Sequence, residues 1–185
     1  MKHLVVLSAI ATALCLNVRG NTYNVPAVDH NDPLGVFTDP LQVGRTYLFE
    51  ASGTYKYWLP NKVWADAEFT ENYSGTTERY PTFSEDILDL IIDGIAVDWL
   101  GNSGSGWTPH TLSPNHVYRY YVIGNGSPVN LAIADWRPLL DQDYTGDNEG
   151  SLQVAVTGVP DAGSAVALLG GAFTILGVLG RKFRM

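Results

Sequence analysis

The stretch "YRYYVIGNGSPVNLAI", residues 118–133, has one apolar run on each side of Asn125-Gly126. An Asn-Gly pair between such runs is typical of a β-hairpin, because a two-residue type I′ turn requires positive φ at both central residues. "DLIIDGIAVDW", residues 89–99, repeats the arrangement around Asp93-Gly94. Two hairpins in one small domain predict an antiparallel sheet.

Alternation of apolar and polar residues supports this prediction. Residues 128–135 and 150–156 have the period of two that a half-buried strand requires. No part of the chain between the two termini has a long, capped helical pattern. We therefore predict an all-β, antiparallel β-sandwich of about eight strands, with a jelly-roll arrangement favoured over a barrel. The alternating residues that we expect to face the core are Val129, Leu131, Ile133, Leu152, Val154 and Val156.

The N-terminus resembles an export signal. Lys2 and His3 precede the apolar residues 4–16, and Val18-Arg19-Gly20 places small residues at the two positions that a signal peptidase reads. We expect a signal peptide, helical in its apolar part, over residues 1–20. The only cysteine, Cys15, lies inside it, so the mature chain is expected to have no disulfide.

The region between the two ends is strongly acidic. Residues 21–162 contain six basic side chains and nineteen acidic ones, a net charge of −13. Such a charge repels nucleic acid and anionic membrane surfaces and attracts cations. We therefore expect no nucleic-acid partner.

The C-terminal segment has the composition of a membrane anchor. Residues 165–180 are uncharged and mostly apolar, and Arg181, Lys182 and Arg184 follow at once. A helix of this length would be about 24 Å long, shorter than the ~30 Å hydrocarbon core of a bilayer, so flanking basic side chains must reach the interface. The pattern predicts a single transmembrane helix whose basic end stays in the cytoplasm.

The sequence just before this segment is more specific. "VPDAGSAVALL", residues 159–169, resembles the bacterial PEP-CTERM sorting signals in their VPDSGST variant, with Ala162 and Ala165 in place of Ser and Thr. The resemblance implies processing by an exosortase and delivery to the cell surface or the exopolysaccharide matrix. We divide the chain into the signal peptide, a β-sandwich domain over 21–158, and a sorting signal over 159–185 with motif 159–164, helix 165–180 and basic tail 181–185. The residues assigned to sorting are Val159, Pro160, Asp161, Gly163, Ser164, Arg181, Lys182 and Arg184.

The loop "ADWRPLLDQDYTGDNEGSL", residues 134–152, is rich in oxygen ligands. Calcium binds six to eight oxygens from carboxylates, amides and backbone carbonyls, and this loop can supply several. The spacing is not that of an EF-hand. A solvated acidic loop, in which Asp and Asn cap turns, explains the composition equally well. The candidate ligands are Asp135, Asp141, Asp143, Asp147, Asn148 and Glu149.

A second resemblance favours calcium. "ASGTYKY" (51–57) and "YTGDNEGSLQVAV" (144–156) resemble the LecA-type galactose-binding lectins, jelly-roll sandwiches in which a calcium ion ligates sugar hydroxyls. The loop after Asp135 is longer than in the lectins, so Asp141 or Asp143 could replace Asp135. Nothing between Glu71 and Phe83 matches the lectins' sugar-contacting His and Gln. By resemblance, the ligands would be the carbonyls of Tyr57 and Tyr144 and the side chains of Asp135 or Asp143, Asp147 and Asn148.

Tryptophans are the other candidates for ligand contact. Trp58, Trp107 and Trp136 lie at predicted strand ends or in loops, where their rings could stack on sugars, and we name Trp58 and Trp136 as ligand-binding residues. Trp64 and Trp99 are expected to fill the core. All five tryptophans lie in the predicted domain.

Catalytic signals are weak. "WADAEF" (64–69) contains Asp66 and Glu68, which could share a proton or a metal, but a polar outer strand face is the favoured interpretation. The histidines at 30, 110 and 116 have no metal-ligand spacing, and no nucleophile motif is present. We therefore expect that the protein is not an enzyme.

These patterns together predict an exported surface or matrix protein with a calcium-dependent, carbohydrate-binding sandwich. The alternative is a structural matrix module in which calcium only stabilises the fold. A hydrolase is a distant third interpretation.

Overall fold

The computed structural model describes residues 20–27, 35–57, 63–71, 77–79, 87–137, 142–143 and 148–160. Within these ranges the regular structure is entirely strand, and every strand pair is antiparallel, which confirms the all-β prediction. The fourteen strands found there are β1 Asn21–Pro26, β2 Val36–Phe37, β3 Thr46–Ser52, β4 Tyr55–Tyr57, β5 Val63–Ala65, β6 Phe69–Glu71, β7 Thr77–Arg79, β8 Ile87–Ile92, β9 Leu100–Asn102, β10 Trp107–Pro109, β11 Val117–Ile123, β12 Asn130–Arg137, β13 Gln142–Asp143 and β14 Glu149–Gly158.

The strands form two sheets. The larger has the order β10-β9-β11-β3-β14-β4-β5-β6-β7, with β1 also paired to β14. The smaller has the order β13-β12-β2, and β8 pairs with β12. Two antiparallel sheets are the components of a sandwich. The jelly-roll and galactose-binding types remain predictions.

One apolar core receives side chains from both sheets. Phe49, Tyr118 and Val154 of the larger sheet are buried in the same cluster as Leu90 and Leu131 of the smaller. All six residues that the alternating pattern assigned to the core are at most 6% exposed. The period-two prediction for β12 and β14 is therefore confirmed.

The hairpin predicted at Asn125-Gly126 is wrong. Strand β11 pairs with β3 and β9 in the larger sheet, whereas β12 belongs to the smaller, so the connection crosses between sheets. Its backbone bonds to the loop before β3 instead: the N–H of Gly126 donates to Leu41, and that of Leu41 donates to Ser127. Gly124 permits the approach, because a Cβ there would collide with the carbonyl oxygen of Gln42.

The turn predicted at Asp93-Gly94 is present, with φ of 50° and 75°. Its second arm is short. Ile95 forms a single bridge to Ile92, and residues 96–99 are not strand. Strand β8 pairs along its full length with β12 instead.

The two predicted terminal helices lie outside the described ranges, in residues 1–19 and 161–185. Among the residues that are described, no helix is long and apolar enough to cross a membrane.

Candidate functional site

A groove of about 480 Å³ opens on the larger sheet beside the β9–β10 turn. The pairing of β11 with both β3 and β9 brings three neighbouring strands to its floor. The loop after β10 forms one wall, and Gly101 lets it approach β9, because a Cβ there would collide with the carbonyl oxygen of Thr111. The lining residues used below are Glu50, Asn102, Trp107, Ser113, Asn115 and Arg119.

An aromatic ring and an ion pair line this groove. The Arg119 guanidinium carbon lies 3.9 Å from the centroid of the Trp107 ring, a cation–π contact. Arg119 also donates to Glu50 Oε2 from Nε at 2.8 Å, and its Nη2 lies 2.7 Å from the same oxygen. The two residues face each other in the β11–β3 register. Trp107 is thus held in place by Arg119, which Glu50 fixes in turn.

A buried carboxylate in the β5–β6 turn is connected to the groove through Tyr118. Asp66 is 1% exposed, and its Oδ1 accepts hydrogen bonds from the backbone N–H groups of Glu68 (3.0 Å) and Phe69 (2.7 Å). Its Oδ2 accepts the Tyr118 hydroxyl at 2.9 Å and lies 2.8 Å from His116 Nδ1. Four partners therefore surround one carboxylate and satisfy both of its oxygens. They tie the β5–β6 turn to the loop before β11.

Tyr118 connects this carboxylate to the wall of the groove. Its hydroxyl accepts the N–H of Ser113, a groove residue, at 3.3 Å. Burial raises the pKa of Tyr118 far above its usual value, and the charge of Asp66 raises it further. The side chain is therefore a neutral hydrogen-bond donor throughout the physiological range.

Glu68 is a second buried carboxylate that pairs with a histidine from a distant loop. It is fully buried, its Oε2 accepts the backbone N–H of Trp99 at 3.1 Å, and its Oε1 lies 3.1 Å from His110 Nδ1. Both His110 and His116 have positive φ, 57° and 51°, an uncommon conformation for residues with a Cβ. This backbone conformation accompanies the contact of each histidine ring with a buried carboxylate.

The favoured interpretation of "WADAEF" as one strand with a polar outer face is wrong. Strand β5 ends at Ala65, residues 66–68 turn, and β6 begins at Phe69. Asp66 and Glu68 are buried because the turn hydrogen bonds and the two histidines satisfy them. The histidines are 42 and 50 residues away in sequence, so no local spacing could have indicated these pairs.

The tryptophans predicted for the core behave differently from each other. Trp99 is fully buried, and its indole N–H donates to the Leu90 carbonyl at 2.9 Å, which confirms its predicted place. Trp64 is only partly buried, and it contacts the His116 ring edge-on at a centroid distance of 4.8 Å.

Three of the predicted calcium ligands lie in a strand or directly beside one. Tyr57 ends β4, Asn148 directly precedes β14, and the β4–β14 pairing of Lys56 with Glu149 places the two close together. Asp135 is on β12 and is 8% exposed. The Asn148 amide nitrogen donates to the Ala27 carbonyl at 3.3 Å, while its buried Oδ1 has no hydrogen-bond partner among the described residues.

Electrostatics link this region to Tyr55, whose hydroxyl is also buried without a partner in the described part of the chain. Burial raises the pKa of Tyr55 well above its usual value, and the carboxylates of Asp135, Asp89 and Asp66 raise it further. The interior near Tyr55 therefore has a negative potential.

Several predicted residues cannot be placed. Asp143 and Trp136 are described only by their backbones, which pair directly between β13 and β12. Val159 and Pro160 follow β14 at the end of the described chain. The predictions for Trp58, Asp141, Tyr144, Asp147, Asp161, Gly163, Ser164, Arg181, Lys182 and Arg184 fall outside the described residues.

Comparison with known proteins identifies the C-terminal segment. Residues 158–183 match a family model described as the VPDSG-CTERM motif, which supports a PEP-CTERM-type sorting signal and an exported protein processed by an exosortase. No curated protein and no solved structure matches the chain. The lectin resemblance of the domain therefore has no support from a homologue.

Proposed function

We propose that this protein is an exported component of the cell surface or extracellular matrix that binds carbohydrate in the groove around Trp107. The observation that carries the proposal is the indole ring, held by Arg119 and surrounded by polar side chains. The C–H face of a pyranose packs on such a ring, while its hydroxyls bond to carboxylate and amide groups at the rim. Glu50, Asn102 and Asn115 supply those groups.

The size of the groove agrees with this ligand class. A volume of about 480 Å³ lies within the ~300–1,000 Å³ range of small-molecule sites. The sorting signal resembles those that direct proteins to the cell surface or the exopolysaccharide matrix, where a sugar ligand would be available.

The test uses the untagged full-length protein in mild detergent on an array of galactose-, glucose-, N-acetylglucosamine- and uronate-based oligosaccharides. We expect binding to at least one class, and at least a tenfold loss of affinity in Trp107→Ala. Tyr121→Ala is the matched control, because this aromatic is on β11 of the same sheet, is 50% exposed, and does not line the groove. Absence of binding, or an equal loss in the control, would contradict the proposal.

We further propose that calcium stabilises the fold at Asp135 and Asn148, as in the alternative interpretation of the sequence. The buried Oδ1 of Asn148 is an oxygen ligand with no described partner, and leaving such an atom unbonded costs about 1–3 kcal/mol. A cation would bond to it and lower the negative potential near Tyr55. Because Asp135 and Asn148 are both buried, we assign the ion to the fold and the sugar to the groove.

Thermal unfolding of the full-length protein in EDTA and in millimolar Ca²⁺ tests this assignment. A free concentration of 100 times Kd should stabilise the native state by about 2.7 kcal/mol and raise the midpoint. Asp135→Asn and Asn148→Ala should each abolish the increase, whereas Asp39→Asn, at an exposed site, should retain it. A parent midpoint that does not respond to calcium would refute the assignment.

A further inference from the structure

We infer that Asp98 and His110 form a binding site for a divalent transition-metal ion, with buried Glu68 orienting the histidine. One ligand atom from each of these three residues can be chosen so that all lie within 4.8 Å of one another. The cluster is separate from the proposed calcium ligands and from the residues that line the groove. Because it contains an imidazole, it favours zinc-like ions over calcium.

Glu68 fixes the direction of the imidazole ring. Its Oε1 is 3.1 Å from His110 Nδ1, and the carboxylate is fully buried and also bonded to the Trp99 N–H. With Nδ1–H donating to Glu68, the lone pair of a neutral ring is on Nε2. A carboxylate on one ring nitrogen and a metal on the other is the usual arrangement around metal-binding histidines.

Asp98 supplies the second ligand. The bond from the Trp99 N–H to Glu68 holds the neighbouring Asp98 beside the ring, and Asp98 Oδ1 lies 3.4 Å from His110 Nε2. Two ligand atoms at ~2.0–2.2 Å from a tetrahedral zinc ion are separated by about 3.4 Å. The observed separation equals the one that two ligands of a single zinc ion would have.

The electrostatics of the pair also favour a cation. Carboxylates lie at both ring nitrogens, Glu68 at Nδ1 and Asp98 at Nε2, and their negative charge attracts a cation. The His110 and Asp98 side chains are 43% and 63% exposed, so an ion can enter from solvent and complete its coordination with water.

Isothermal titration of the untagged full-length protein with ZnCl₂ tests the inference. We expect one saturable site per chain, weakened at least tenfold by His110→Gln and by Asp98→Asn. Asp98 is an exposed side chain, so its variant should fold, which far-UV circular dichroism checks. Replacing Zn²⁺ by Co²⁺ should give the strong visible absorption of a four-coordinate ion in the parent only.

His116→Gln is the matched control. His116 also has Nδ1 on a buried carboxylate, 2.8 Å from Asp66, but none of its described contacts places a carboxylate at Nε2. This variant should bind Zn²⁺ as the parent does, and millimolar Ca²⁺ should not displace the zinc. No saturable binding, or parental affinity in Asp98→Asn, would overturn the site and leave His110 with a structural role between two carboxylates. The calcium and sugar measurements are independent of that outcome.

Discussion

At the scale of single residues, two buried tyrosines show how differently one side chain can be used. Tyr118 donates its hydroxyl to Asp66 at 2.9 Å, whereas the Tyr55 hydroxyl has no partner in the described part of the chain. Both have pKa values raised first by burial and then by nearby carboxylates. The same substitution should therefore have opposite consequences at the two positions.

At neutral pH, Tyr118→Phe should reduce the free energy of unfolding by about 1.5–3 kcal/mol, because it removes a hydrogen bond to a charged acceptor. Tyr55→Phe should be neutral or stabilising, since it removes a buried hydroxyl that makes no described bond. Urea denaturation of the two variants and the parent measures this difference. A large loss of stability in Tyr55→Phe would show that its hydroxyl has a partner.

The same pair determines alkaline stability. A raised folded-state pKa means that the native protein keeps its tyrosine proton while the unfolded chain releases it above pH ~10. The contribution of each such tyrosine is therefore fully present below pH 10, and above it the free energy of unfolding falls by about 1.4 kcal/mol per pH unit for each. Each Tyr→Phe variant should make this slope shallower by one proton, and unchanged slopes in both would contradict the assigned pKa directions.

At the scale of strands and turns, local sequence patterns correctly predicted the buried faces of strands and one tight turn. The alternation in β12 and β14 identified their buried faces, because a strand exposes successive side chains to opposite sides. Asp93-Gly94 forms its turn because both residues tolerate positive φ, which is a local property.

Asn125-Gly126 has the same local signal, and yet its hairpin does not form. Both edges of β11 are occupied, by β3 and β9, and β12 completes the other sheet. Which strand pairs with a given edge depends on the packing of the whole core. The Asn-Gly pair affects only the local turn and cannot determine that pairing.

The candidate site was predictable only in part, for a related reason. Trp107 could be identified as a ring at a strand end, but Glu50 and Arg119 become its neighbours only when β3 and β11 pair. Likewise, the sequence indicates Asp66 and Glu68 as a carboxylate pair but predicts that they face solvent, because their histidines are far away in sequence. Interactions between residues that are far apart in sequence determined the site.

At the scale of the whole molecule, the domain and the C-terminal end carry opposite charges. The net charge of −13 in residues 21–162 contrasts with Arg181, Lys182 and Arg184 at the C-terminus. Export moves the acidic part across the membrane, while basic residues resist translocation. The charge distribution therefore predicts the same export of the domain that the sorting motif supports.

The sorting signal can be tested without knowing the ligand of the domain. In a host that carries an exosortase, the full-length chain should be converted to a shorter form, which immunoblotting of membrane and surface fractions detects. Replacing Pro160 and Asp161 by alanine should leave the unprocessed form in the membrane, because both belong to the matched motif. The control replaces Asp39 and Pro40, the same two residue types at an exposed place in the domain, and should be processed as the parent is. If the motif variant were still processed at the parental rate, the match would not be a functional signal, and the apolar run with its basic end would act as a simple membrane anchor.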